Sequence, residues 1–420
     1  MTMKTVIRPE TEMKDSGVKY VGLIPRTWKI VQLKYCTNCL DGKRVPIDAS
    51  LRKSGIYPYW GAGRIMDYVD DYIFDEKLVL LGEDGAPFFD DFRPVSHLID
   101  GKVWVNNHIH VLRTKDNIVD SYLVHALNSV DYHEYINGSI LNKLTQSNMN
   151  RIKIPLPSIA EQQAIADYLD ETCSKIDEII AEAKASIDEY KELKQSVIFE
   201  AVTKGLDKNV EEKECQMVSL QQIPKHWKEC RMGTIYRESK ETGRTDLPIL
   251  MISINTGISD GEVGDEERLR KVVRSEDKSV YKVVRKNDLA YNMMRAWQGG
   301  FGAAQVDGLV SPAYVVATPR TKLDSRYIEA LLRTPMFTEK IRGLSYGIAD
   351  FRLRLYWNYF KDLKICLPPV DEQRKIADFI DEQNKMIEGL ISEKQSLIAD
   401  LEAYKKSLIY EVVTGKRRVV

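Results

Sequence analysis

The sequence predicts an α+β chain built twice over. Two mixed α/β domains are each followed by a long helix; the helices pair antiparallel as a coiled coil, and a pseudo-two-fold internal repeat relates the halves. Residues 152–205 and 363–416 align without a gap at an offset of 211, with 21 identities in 54 positions. A self-match of that strength marks a duplicated unit. In both copies apolar residues recur at alternating steps of four and three, which keeps one helical stripe against a partner. A fainter repeat, at an offset of 199, sets Ile24-Pro25-Arg26-Thr27-Trp28-Lys29 against Ile223-Pro224-Lys225-His226-Trp227-Lys228.

Taken in order, the chain reads as a first domain (1–157), a long helix (158–206), a polar linker (207–217), a second domain (218–368), a second long helix (369–416) and a tail (417–420). Short β-rich runs at 77–81, 103–105, 313–317 and 363–367 are separated by Gly, Asp and Asn, and helical stretches at 120–130 and 324–333 complete each mixed domain. Pro155 and Pro157 bar helix upstream of Ser158, and Ser158 with Glu161 fits a capping box. Asp371, after Pro368-Pro369, is the expected cap of the second helix. The predicted seam runs through Ile165, Leu169, Thr172, Ile176, Ile179, Ala183, Ser186, Tyr190, Leu193 and Val197. Its copy runs through Ile376, Ile380, Gln383, Ile387, Leu390, Lys394, Leu397, Leu401, Tyr404 and Leu408. A stripe that long exceeds an ordinary surface helix and predicts a rod on the order of 65 Å with a domain at each end.

The 420 residues are 43% hydrophobic and 29% charged, a globular composition with no wholesale disorder. The first residues lack an apolar secretory region, and no apolar run reaches the roughly 20 residues of a membrane span. Six scattered cysteines fit a reducing compartment, so a cytoplasmic protein is expected. The net charge of −1 hides an uneven distribution: 158–217 carries −8, while 218–368 carries 25 basic against 18 acidic residues. Local positive potential, not a basic whole chain, is what a nucleic-acid reader needs.

Enzyme signatures are missing. No phosphate-binding P-loop occurs, Gly61-Ala62-Gly63 is too short for a dinucleotide loop, and no nucleophile–base pair stands out. Cys36 and Cys39 form a C-x-x-C with no second pair at metal spacing, and His108 and His110 read as sheet-surface histidines on one strand face. No metal or cofactor is expected on this chain. Other clusters combine Arg, Asn, Gln, aromatic and Gly residues. They are Tyr59, Trp60 and Arg64; Asn106, Asn107 and His108; Asn142 and Lys143; Arg295, Trp297 and Gln298; Tyr314; and Arg352 with Arg354. Arg can bond guanine twice, Asn or Gln can do so with adenine, and Gly-rich loops bring backbone N–H groups to phosphates. Each cluster alone is an ordinary polar loop; their recurrence in two duplicated domains is what points to DNA.

These residues resemble a known family, the specificity (S) subunits of type I restriction–modification enzymes, over about 20–416. The resemblance rests on Ile154-Pro155-Leu156-Pro157 followed by Glu161-Gln162-Gln163 and Ile165-Ala166, and on the copy Leu367-Pro368-Pro369, Glu372-Gln373 and Ile376-Ala377. The Ile-Pro-x-x-Trp at 24–28 and 223–227 resembles the start of each target-recognition domain. One departure is Cys366 where the first copy has Pro155. The resemblance implies a non-catalytic reader of double-stranded DNA, each domain reading one half of a bipartite site and the helices fixing the gap. It further implies two docked methyltransferase subunits carrying S-adenosylmethionine, and motor–nuclease subunits in the full complex. The alternative is a coiled-coil interaction scaffold without sequence-specific DNA binding.

Overall fold

A computed structural model describes residues 4–90, 92–136, 142–215, 220–254, 257–259, 278–347 and 353–419. The chain forms two compact units, Met1–Ala185 with Lys394–Val420, and Ser186–Glu393.

In the first unit a four-stranded antiparallel sheet runs in the order Ser96–Ile99, Leu78–Gly82, Ile109–Thr114, Thr37–Cys39. The second unit repeats it as Phe301–Ala303, Leu289–Asn292, Tyr314–Pro319, Tyr236–Ser239. Each sheet's inner strand is an unbroken apolar run, because both its faces are covered: Leu78 to Leu81 and Leu289 to Tyr291 are 0% exposed. A second pairing also recurs, Phe74–Asp75 with Lys102–Val105 and Lys282–Val284 with Gly308–Val310. At the root of each domain Lys29–Gln32 pairs with Lys153–Leu156, and Lys228–Arg231 with Lys364–Leu367. The duplication therefore extends through domains whose sequences barely match.

The long helices are Ile159–Lys204 and Val370–Val413. Ser158 and Glu161 form the expected capping box, each side chain accepting the other's backbone N–H. The second helix starts one residue before its expected cap, so Asp371 lies in the first turn and bonds Arg374 at 3.2 Å. Both helices stop at a left-handed glycine, Gly205 (φ 77) and Gly415 (φ 74), as helix C-termini commonly do.

The seam departs from the predicted one. Ile165, Leu169, Ile176, Ile376, Ile380 and Ile387 are buried as expected, and Leu401 is half-buried. Leu193 is half exposed, as are Ile179 and Tyr404, while Ile180, Ile187 and Ile398 are buried instead. After Leu169 the buried stripe takes a second step of four, to Cys173, and from there alternate positions lie one residue late, Ile180 and Ile187 for Ile179 and Ser186, while Ile176 and Ala183 keep their places; the second copy slips alike, from Leu390 and Leu397 to Ile391 and Ile398 with Ile387 in place. A helix of 3.6 residues per turn drifts against a 3.5-residue repeat, and an extra step of four restores the phase. Ion pairs fix the antiparallel sense within each unit: Lys405 to Asp177 at 2.6 Å in the first, Lys194 to Glu388 at 2.7 Å in the second. The two pairs are each other's images at the offset of 211.

Two boundary segments are more ordered than the sequence suggested. The polar linker contains the strand Glu212–Glu214, paired with Gln222–Pro224 as Met13–Asp15 pairs with Leu23–Pro25. The tail contains the strand Arg417–Val419, paired antiparallel with Thr5–Ile7, which joins the two chain ends. Neither strand has an apolar alternation of its own; each is held by backbone bonds to its partner, nearby in sequence for the linker strand and at the other end of the chain for the tail strand.

Candidate nucleic-acid interface

In the first unit three predicted clusters converge at one end of the domain. The hairpin Ser54–Gly61/Arg64–Val69 turns through Ala62 (φ 50) and Gly63 (φ 77). Asn106-Asn107-His108 links two strands, and Asn142-Lys143 precedes the helix Gln146–Arg151. Backbone bonds tie them: Asn106 N–H to the Trp60 carbonyl at 3.0 Å, Glu83 N–H to His108 at 3.1 Å, and Leu144 N–H to Glu83 at 2.7 Å. A Cβ on Gly61 would lie 2.2 Å from Asn106 Nδ2, so only glycine permits this approach. Arg64, Asn107, His108, Asn142 and Lys143 are exposed here.

Three of the predicted residues serve the scaffold instead. Tyr59 is 1% exposed; its hydroxyl accepts the Ile47 N–H at 3.1 Å and the Arg52 guanidinium lies 4.3 Å from its ring. Trp60 is half-buried beside His97, with ring centres 5.1 Å apart. Asn106 is buried and its Oδ1 accepts the His108 N–H at 2.8 Å, which shapes the loop. Aromatic and amide residues in a strand–turn segment look alike in sequence whether they face solvent or core.

The histidines also differ from expectation. His108 lies just before its strand and is exposed, with Nδ1 2.5 Å from Asp84. His110 is fully buried, with Nδ1 2.6 Å from Asp41 and Nε2 2.8 Å from the Leu144 carbonyl. Among the described residues, Cys39, Asp41 and His110 are close enough to share a metal ion. Their chemistry fits one poorly. Both His110 nitrogens are engaged, the Arg44 cation stands 3.4 Å from Asp41, and burial pushes the Cys39 thiol up to about 11. Burial would raise the Asp41 carboxyl as well, but the hydrogen bond and charge of His110 outweigh it and hold it below its ordinary value. The group is an ion-pair network under the loops.

Sequence reasoning missed the loop that follows Leu78–Gly82. Glu83 and Asp84 sit among the clusters just described. Beyond them Phe89 and Phe92 are exposed beside an open cleft of about 600 Å³, lined also by Arg93 and Asn142. A signal was available: Leu78 and Leu289 stand 211 apart at the start of equivalent strands, so this loop matches the one at 293–298 in the second domain.

In the second unit that loop is built by Asn292, whose Oδ1 accepts the Met294 N–H at 2.9 Å, and closed by Gly299 at φ 85. Arg295 is exposed and donates to Gln298 at 2.8 Å. Half-buried Trp297 donates to the Met294 carbonyl at 3.1 Å, with the Arg342 guanidinium 5.7 Å from its ring. Arg354 is exposed beside this loop, since Leu355 N–H bonds the Met293 carbonyl at 2.9 Å. Tyr314 is half-buried; burial raises its hydroxyl pKa, against bonds from the Asn292 side chain and the Ile252 backbone. Arg352 lies outside the described residues.

Comparison with known proteins finds relatives of this architecture. Residues 25–189 match the family described as type I restriction modification DNA specificity domain. A Haemophilus influenzae protein named as a type I restriction enzyme specificity subunit, S.HindORF215P, is 26% identical over 370 residues, covering 86% of this chain and 90% of that one. The chain is similar to type I specificity subunits. The MjaVIII specificity subunit of Methanocaldococcus jannaschii is 22% identical across 87% of this chain and 88% of its own length. Two solved structures share the fold. A chain from work on complex assembly and conformational transition of the type I R-M system has a TM-score of 0.63 at 15% identity, covering 94% of this chain and 99% of that one. The HsdS subunit from Thermoanaerobacter tengcongensis has 0.50 at 16%, covering 94% and 98%.

The motifs that carry the likeness to type I specificity subunits join helix to domain. Trp28 Nε1 donates to Glu161 at 3.3 Å, and Trp227 Nε1 to Glu372 at 3.1 Å. Buried Gln162 accepts the Val119 N–H and donates to the Pro157 carbonyl; Gln373 repeats this with Asp324 and Pro368. Tyr122 and Tyr327 donate to the carbonyls of Pro155 and Cys366, so the one departure from the motif keeps the same backbone bond.

Proposed function

We propose that this chain is the non-catalytic DNA sequence-specificity subunit of a type I restriction–modification complex. Each domain reads one half of a bipartite site in double-stranded DNA. The helices set the gap and dock two methyltransferase subunits, which bind S-adenosylmethionine; motor–nuclease subunits complete the assembly. The observation that carries this reading is the pattern of duplication. The sheets, root strands and helix joints are repeated, whereas the loops at the equivalent strand ends differ: Glu83-Asp84 with His108 and Lys143 in one domain, Arg295 and Arg354 in the other. A repeated frame with unlike loops suits a two-part site whose halves differ in sequence.

The test is co-expression with a type I methyltransferase subunit from the same source, followed by mapping of N6-methyladenine in host DNA. A split motif that vanishes when this chain is omitted is the expected result. A complex that co-purifies while methylation never depends on this chain would favour the scaffold reading.

A further inference from the structure

We propose that Asp84, backed by Glu83, is a positioning residue for one DNA half-site: it aims the imidazole of His108 and the ammonium of Lys143 from behind. This rests on the DNA-reading function proposed above. Neither acid lies in a cluster that the sequence marked.

The geometry separates holders from held. The Asp84 carboxylate lies 2.5 Å from His108 Nδ1 and 3.7 Å from Lys143 Nζ, and Glu83 lies 3.1 Å from the same Nζ. Side-chain exposure is 12% for Glu83 and 20% for Asp84, against 48% and 47% for His108 and Lys143. The acids are therefore recessed and the two nitrogen-bearing side chains stand in front. Glu83 is itself anchored by Arg44 at 2.5 Å, and the backbone of Asp84 forms a bridge with Lys143. Three segments remote in sequence are thus locked to one small frame. A lysine stem has many rotamers, and fixing them before binding lowers the entropy lost on contact. His108 Nδ1 facing a carboxylate leaves Nε2 as the ring's other polar atom.

The second domain keeps the cation and changes the holder. Arg354 stands 211 residues after Lys143 and likewise sits in an isolated bridge, with Tyr346. It has no carboxylate partner among the described residues, and nearby Arg295 is steadied by the neutral Gln298. Among the described residues, the device occurs in one domain only.

This arrangement gives a test whose sign is opposite to that of simple electrostatics. A carboxylate near DNA repels phosphates, so its neutralisation alone would tighten binding. The experiment uses the complex of this chain with its methyltransferase subunits, wild type and Asp84→Asn. Binding is measured to a duplex carrying the mapped motif and to one of equal length lacking it. The positioning role predicts about tenfold weaker binding to the motif, roughly the discrimination of one base contact. It also predicts unchanged or tighter binding to the control duplex, relaxed sequence choice in one half of the methylation motif, and an unchanged thermal midpoint. Asp84→Asn combined with His108→Ala and Lys143→Ala should add little to the loss that the latter two cause. Tighter binding to both duplexes would overturn the proposal, as would weaker binding to both with a lowered midpoint. A wild-type complex that marks no motif would instead overturn the DNA-reading function itself.

Discussion

Ile179 and Ile180 are adjacent in the first long helix, and only one of them belongs to the buried seam. Ile180 is 7% exposed and Ile179 44%. Truncation of either to Ala removes three carbons. For a buried site that is worth about 2.5 kcal/mol of transfer free energy at about 0.8 kcal/mol per carbon, and a residual cavity adds to it. A seam between two helices can partly collapse, so the lower part of the 2–5 kcal/mol range for such truncations applies, about 2–3 kcal/mol. Alanine returns roughly 0.4 kcal/mol through its better helix propensity at both positions. Ile180→Ala should therefore lose about 2 kcal/mol, and Ile179→Ala less than about 0.5 kcal/mol. Urea unfolding followed by circular dichroism, with both variants compared at one slope, measures the difference. Equal losses, or a larger loss at Ile179, would refute the shifted seam and restore the regular heptad.

Gln373→Ala removes a buried amide and leaves the Asp324 N–H and the Pro368 carbonyl without their partner; a cost of about 2–3 kcal/mol in the same unfolding assay is expected. Gly415→Ala should cost more than Gly17→Ala, because its Cβ would lie 2.6 Å from Pro25 and 2.8 Å from Trp28, whereas nothing lies within 4 Å of a Cβ on Gly17; thermal midpoints decide. Arg354→Ala should relax sequence choice in the half-site not touched by Asp84→Asn, as read by adenine-methylation mapping, while Arg354→Lys keeps charge but loses any two-pronged bond. A chain whose ends are joined by a short linker and reopened between Lys208 and Asn209, in an exposed turn, should fold with a midpoint close to the original, since Thr5–Ile7 and Arg417–Val419 are already paired.

The parts of the fold legible in sequence were those fixed by local rules. Ser158 and Glu161 announce a helix start because capping is a four-residue matter, and the apolar run at 77–81 announces a covered strand. The seam was legible in kind but not in phase: Thr172 and Cys173 both offer a next step, and only the packed partner decides between them. The strand at 417–419 was not legible because its cause is a backbone partner some 410 residues away. The candidate surface was half legible. Arg64, His108 and Lys143, marked by residue type, stand exposed there. Tyr59 and Asn106 share that chemistry but point into the scaffold, and Asp84 belongs to none of the clusters that residue type marks.

The ion pairs between the helices have a consequence for inheritance. The first helix carries an acid at 177 and a base at 194; the second carries an acid at 388 and a base at 405. Each repeat thus brings both halves of the clasp, spaced alike, and the Trp–Glu and Gln joints are likewise complete in each copy. A gene encoding such a protein could exchange one reading domain for a relative's by crossing over within the repeat, and the product would close as its parents did. New combinations of half-sites would then arise from reassortment, with no need to refit the frame that holds them.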